Sequence, residues 1–136
     1  MNIEMIAFCD AATDSQGKLN ILGAFDCIWS MQAPIMHAQC AVALRIRFDR
    51  IEEGDHRIRI NVIDADGKSV MPSLNANMKV VFGIDQDSAV TNLILNIHQL
   101  KLDRFGPYAI DVAVDGRQET SLPFFVRQLQ KPASNS

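Results

Sequence analysis

The chain has 136 residues, enough for one domain of ordinary size, which buries about two thirds of the surface its unfolded form would expose. Hydrophobic residues make up 48% and charged residues 21%, a balance that excludes the low-hydrophobicity, high-charge compositions that stay disordered. The net charge of -3 and the pI near 5.5 oppose a phosphate-backbone binder, and polar residues interrupt every apolar run well short of a membrane-spanning helix.

At the start, Met1-Asn2-Ile3-Glu4-Met5-Ile6 carries no basic stretch, and the apolar run ends by Asp10. It does not read as a signal peptide, so a cytoplasmic location is expected, with neither nucleic acid nor membrane as a partner. Cys9, Cys27 and Cys40 are odd in number, form no CxxC and have no paired histidine spacing. Free thiols acting as small core hydrophobes are expected, with no disulfide, metal site or cofactor.

Period-two alternation and regularly spaced turn residues predict an all-β fold. The first strand is placed at Glu4 to Ala12, with Met5, Ala7, Cys9 and Ala11 on one face, turning at Asp14-Ser15-Gln16-Gly17. A second strand, Lys18 to Gln32, puts Leu19, Ile21, Phe25, Cys27, Trp29 and Met31 inward. That leaves Leu22, Ala24 and Ile28 outward, and Gly23 marks a bulge or a close backbone approach. The third strand, His37 to Phe48, points Ala38, Cys40, Val42, Leu44, Ile46 and Phe48 inward, and the fourth, His56 to Ile63, does the same with Ile58, Ile60 and Val62. After an Asp64-Ala65-Asp66-Gly67 turn, a fifth strand carries Leu74, Ala76, Met78, Val80 and Phe82, and a sixth carries Leu93, Leu95 and Ile97. The seventh, Tyr108 to Val114, and the eighth, Gln118 to Val126, form a hairpin. Core matching pairs Val112 with Thr120, Ile110 with Leu122 and Tyr108 with Phe124 across a three-residue Asp115-Gly116-Arg117 loop. One sandwich domain over residues 1–130 and a disordered tail at 131–136 are expected.

Phe105-Gly106-Pro107-Tyr108-Ala109-Ile110 places the only tyrosine after a Gly-Pro corner, which is similar to the tyrosine corner of immunoglobulin-like sandwiches. Further motifs are Cys9-Asp10, Gly17-Lys18-Leu19-Asn20-Ile21-Leu22-Gly23, the Asp64 to Gly67 turn, and Val114-Asp115-Gly116 to Leu122-Pro123-Phe124-Phe125-Val126. With these, the chain resembles, over most of residues 5 to 127, a family of small uncharacterised bacterial proteins. The resemblance implies an antiparallel immunoglobulin-like β-sandwich of about eight strands and brings no catalytic residues with it.

Chemistry-bearing constellations are sparse. His37, His56 and His98 stand in no metal or acid–base spacing, no GxSxG elbow or thiol-enzyme signature occurs, and there is no glycine-rich phosphate loop. Asp64-x-Asp66 and Asp85-x-Asp87 have the spacing of calcium-binding loops, although aspartate is also a favoured turn former. If the third and fourth strands form a hairpin around Asp49 to Asp55, core matching sets Arg47 opposite Arg57 and Arg45 opposite Arg59 on the outer face. Four arginines there either meet neighbouring carboxylates or receive an anion or acidic surface. Outward Leu22, Ala24, Ile28 and Phe125 lie under another segment or form a subunit contact.

The expected function is therefore a non-catalytic binding or protein-interaction module. It would dock an unknown protein partner or a second copy, with Arg45, Arg47, Arg57 and Arg59 as candidate contact residues. A small enzyme assembled from distant residues and a calcium-binding sandwich are the alternatives.

Overall fold

In the computed structural model, which describes residues 1–130, the alternating segments become nine strands: β1 (Asn2–Ser15), β2 (Lys18–Ala24), β3 (Cys27–Ser30), β4 (Ile35–Asp49), β5 (Gly54–Ile63), β6 (Leu74–Val80), β7 (Ser88–Leu102), β8 (Gly106–Val114) and β9 (Arg117–Gln128). The expected tail at 131–136 lies outside the described residues. One sheet runs β2-β1-β4-β7 and the other β3-β9-β8-β5-β6; every pairing is antiparallel except β3 with β9. The two sheets stack as a sandwich, because each presents one apolar face that only the other can cover. Cys40, Val42, Leu44, Ile46 and Phe48 on β4 meet Ile58, Ile60 and Val62 on β5 and Ile110 and Val112 on β8 in a fully buried core. Among the described residues no helix is long and apolar enough to cross a membrane.

The expected second strand is in fact two. β2 stays with β1, then the chain leaves that sheet at Phe25 and Asp26, and β3 joins β9 in the other. This crossing reverses the side-chain phase. Ile28, expected outside, is buried, whereas Trp29 and Met31, expected inside, are 56% and 47% exposed. Gly23 makes the turn away possible. Its φ is +67°, and a Cβ there would sit 2.4 Å from Asp10 Oδ2. The ladder skips this pair, running from Cys9–Ala24 to Ala11–Leu22.

Only Asn2–Cys9 of β1 pair with β4; beyond Cys9, β1 and β2 pair with each other as an arm. The arm tip reaches β7, where Asn92 Nδ2 donates to the Gly17 carbonyl at 3.1 Å. Cys9, Ala41 and Ala43, small residues on the sheet's outer face, are thereby sealed with Leu19, Ile21 and Ile94.

β8 and β9 pair as core matching requires, with Tyr108 opposite Phe124, Ile110 opposite Leu122 and Val112 opposite Thr120. The loop is shorter than expected. Val114 pairs with Arg117 across Asp115-Gly116, both with positive φ, and the odd residue is absorbed by a bulge between Val112 and Ala113. At the other end of β8, the Tyr108 hydroxyl donates to the Arg104 carbonyl at 2.7 Å and accepts from its N–H at 3.3 Å, tying the β7–β8 connection to the core.

Candidate functional site

The four arginines do not form one patch. β4 and β5 belong to different sheets, so the expected Arg47–Arg57 and Arg45–Arg59 oppositions do not exist. A single 3-10 turn at Arg50–Glu52 carries the chain across the sandwich instead of back along its own sheet. Phe48 and His56, the last and first inward residues of the two strands, stack face to face at 4.6 Å across the core. The apolar sets still match, but through the core and not within one sheet. The arginine pairs consequently lie on opposite outer faces.

On the four-stranded sheet, a bulge in β1 between Ile3 and Met5 frees Glu4 to serve both guanidinium groups. Arg47 Nε donates to Glu4 Oε2 at 2.6 Å and Arg45 Nε to Oε1 at 3.3 Å. Their remaining donors reach Ser88 Oγ at 2.9 Å and Asn92 Oδ1 at 3.2 Å. The pair of guanidinium groups holds the Glu4 carboxyl below its usual range, chiefly through the Arg47 hydrogen bond. Arg45 and Arg47 thus tie β1, β4 and β7 together, and their charge is met within the chain.

Arg57 and Arg59 are placed differently. They project from β5, a strand flanked on both sides, into an open groove of about 1000 Å³ on the outer face of the five-stranded sheet. Asn77 and Asn75 of β6 stand directly across from them, Ala113 of β8 lies on the other side of Arg59, and Asn61 and Gln118 complete the wall. The small Ala113 side chain leaves room above β8. Among the described residues no carboxylate forms an ion pair with either guanidinium. Asp111 accepts from Ser121 Oγ at 2.6 Å, and Asp55 faces Lys79 across the ladder. The result is a surface of two exposed guanidinium groups set among carboxamides, rich in donors of planar geometry, with the Asp55 and Asp115 carboxylates also on its lining.

Asp115, left-handed in the β8–β9 turn, closes one end of this groove. Its Oδ1 accepts the Arg57 backbone N–H at 2.9 Å and its Oδ2 meets His56 Nδ1 at 2.7 Å, while His56 Nε2 faces the Glu52 carbonyl. No signal in the sequence linked His56 to Asp115, since they lie on different strands and only the β5–β8 register brings them together.

The remaining candidates are occupied by structural roles. Asp64 Oδ1 accepts the N–H groups of Asp66 and Lys68, each at 2.9 Å, and Arg104 bridges Asp66 Oδ2 at 2.6 Å and Asp64 Oδ2 at 3.5 Å. Among the described residues no three His, Cys, Asp or Glu side chains are placed to hold a metal ion. Cys9 Sγ donates to the Ala41 carbonyl at 3.5 Å in its sealed cluster, and burial pushes the Cys40 thiol up to about 12. Cys27 and His37 share a smaller cavity of about 390 Å³ with Asp10 and Trp29.

Fold and site together define a small all-β sandwich with one outer face whose arginines share Glu4 and one on which Arg57 and Arg59 stand among carboxamides without a direct ion pair. The chain belongs to a family of unknown function, DUF6941, whose model matches residues 4–127. No curated protein matches it. Among solved structures it is similar to an alkylpurine DNA glycosylase, AlkC, of Pseudomonas fluorescens bound to DNA with an abasic-site analogue. The identity is 10% and the TM-score 0.46, over 90% of this chain and 30% of that one. A likeness of that size says nothing about DNA.

Proposed function

We propose that this domain is a non-catalytic interaction module that docks an acidic protein surface on the Arg57–Arg59 face of its five-stranded sheet. The observation that supports it is the pair of exposed guanidinium groups with no carboxylate partner, flanked by Asn61, Asn75, Asn77 and Gln118. Such groups bind carboxylates bidentately, and amides beside them satisfy the peptide groups of the same partner. An open groove spread over three strands suits a side of protein better than a small molecule, which prefers an enclosed apolar pocket.

We further propose that the sandwich is immunoglobulin-like, a reading supported by the Tyr108 hydroxyl bonded to the Arg104 carbonyl; the bacterial origin remains what the resemblance of the sequence implies. A cytoplasmic setting is supported by its three free thiols.

Titration with an oligoglutamate peptide at low ionic strength tests the reading, with Arg side-chain and Asn amide NMR signals as the readout. Arg57→Gln with Arg59→Gln should weaken binding by about tenfold or more, equivalent to roughly 1.4 kcal/mol, while the melting temperature stays unchanged. Arg45→Gln with Arg47→Gln should leave binding as in the parent. Added salt should weaken the parent and hardly touch the Arg57/Arg59 variant. Equal binding by parent and Arg57/Arg59 variant refutes the proposal.

A further inference from the structure

The groove on the five-stranded sheet repeats itself along β5. Side chains two residues apart on a strand share a face at a spacing of about 6.6 Å, so Arg57, Arg59 and Asn61 stand in one outward row. The β5–β6 register sets Asn77 beside Arg57 and Asn75 beside Arg59, a second row in step with the first. On the other flank Ala113 lies beside Arg59, with Gln118 beyond it, and its short side chain keeps the floor open.

Besides His56, which is turned to Asp115, Arg57 and Arg59 carry all the positive charge on this lining. Carboxylates stand at both ends of the row. Asp55 and Asp115 line the groove at the Arg57 end, and Asp111 faces Asn61 across the ladder at the other. Only two neighbouring places therefore favour an acidic side chain.

Resting on the docking function above, we propose that the groove takes an extended segment of the partner protein, laid along β5, with two carboxylates at alternate positions and neutral residues on either side. An extended segment has the same two-residue repeat as β5, so its side chains i and i+2 meet Arg57 and Arg59, and each receives one guanidinium bidentately. Its backbone N–H and C=O groups are unspent, and the carboxamides of Asn75 and Asn77 offer them both a donor and an acceptor. An α-helix has used its backbone groups in its own turns and would leave that second row unmatched. β5 is paired on both sides, so the segment lies on the face of the sheet and adds no strand to it. A third carboxylate, beyond the arginines, would meet Asp111 or Asp115 and gain nothing.

Calorimetric titration of the full chain with synthetic peptides at low ionic strength tests this. Two peptides share one composition, two glutamates among serines with blocked ends. The glutamates are two residues apart in the first and three apart in the second, so on an extended backbone they point to the same face or to opposite faces. The first should bind about tenfold more tightly. Arg59→Gln should erase that preference, because the remaining guanidinium meets one carboxylate of either peptide, and its melting temperature should match that of the parent. Six glutamates in a row should bind no more tightly than the two-apart peptide, and an alanine-rich helix with glutamates four apart should bind more weakly. Equal affinity for the two spacings, tighter binding of the helix or of the six-glutamate run, or a preference that survives Arg59→Gln would each overturn the extended doublet while leaving acidic docking in place. If no acidic peptide binds at any spacing, acidic docking itself falls and the doublet with it.

Discussion

His56 and Asp115 meet at 2.7 Å, Nδ1 to Oδ2, although 58 residues of chain separate His56 from the turn that carries the acid. The other ring nitrogen faces the Glu52 carbonyl, so both neighbours are acceptors and only the doubly protonated ring satisfies both. Burial opposes the charged ring, but the Glu52 carbonyl and the Asp115 carboxylate outweigh it and raise the pKa above the ordinary 6.5. Asp115 is held below its usual range despite its own burial, by the Arg57 N–H and by His56.

A raised folded-state pKa means that the contribution of His56 to stability is complete below pH 6.5 and disappears as pH climbs through the folded value. The melting temperature should therefore fall by a few degrees between pH 6 and pH 9, on the order of what 1 kcal/mol does in a domain of this size. Asp115→Asn should lower the acid-side value and flatten the slope. Calorimetry across that range decides it, and a profile that rises with pH contradicts the pairing.

Gly23 rests on Asp10, and its left-handed backbone admits no side chain without strain. Gly23→Ala is expected to cost about 1–3 kcal/mol, from positive φ and from the collision of Cβ with Asp10 Oδ2. Gly17→Ala, also at positive φ but with open space around it, should cost about 1 kcal/mol or less. Adding Asp10→Ala to Gly23→Ala should recover the collision component and leave the backbone strain. Urea unfolding of the four proteins tests this, and equal costs at positions 17 and 23 would remove Asp10 from the explanation.

Glu4 is the shared counter-charge of Arg45 and Arg47 on a half-exposed surface. Glu4→Gln should destabilise, because it leaves two adjacent guanidinium groups facing each other. Arg47→Gln in the Glu4→Gln background should cost less than it does alone. Arg57→Gln and Arg59→Gln, which give up no ion pair, should stay within about 0.5 kcal/mol of the parent. A double-mutant cycle measures the coupling, and a value of zero would mean that Glu4 does not hold the pair.

Strand positions and inward faces were legible from residue chemistry because alternation is local: Cys40 to Phe48, Ile58 to Val62 and Leu74 to Phe82 bury the predicted side chains, fully or in part. So was the β8–β9 pairing, since a slip of one residue would have turned Ile110 and Val112 to water. Three outcomes had no local signature. Alternation fails at Asp26 because a chain that changes sheets can re-enter with either phase, and it re-entered with Ile28 inside. The expected hairpin of the third and fourth strands failed for a related reason: Ile46 and Ile58 bury equally well side by side in one sheet or stacked across two, and apolar pattern carries no term that tells these apart. That choice separated Arg45 and Arg47, which Glu4 then neutralised from a bulge, from Arg57 and Arg59, whose guanidinium groups form no ion pair among the described residues. Composition and periodicity by themselves determined an apolar all-β core and, outside the segment that changes sheets, most of its strands and inward residues, because hydrophobic burial is read one residue at a time. Which strands became neighbours, and so which charges were met and which left open, was decided only in the folded chain, where positions far apart in sequence come within the few ångströms over which hydrogen bonds and ion pairs act.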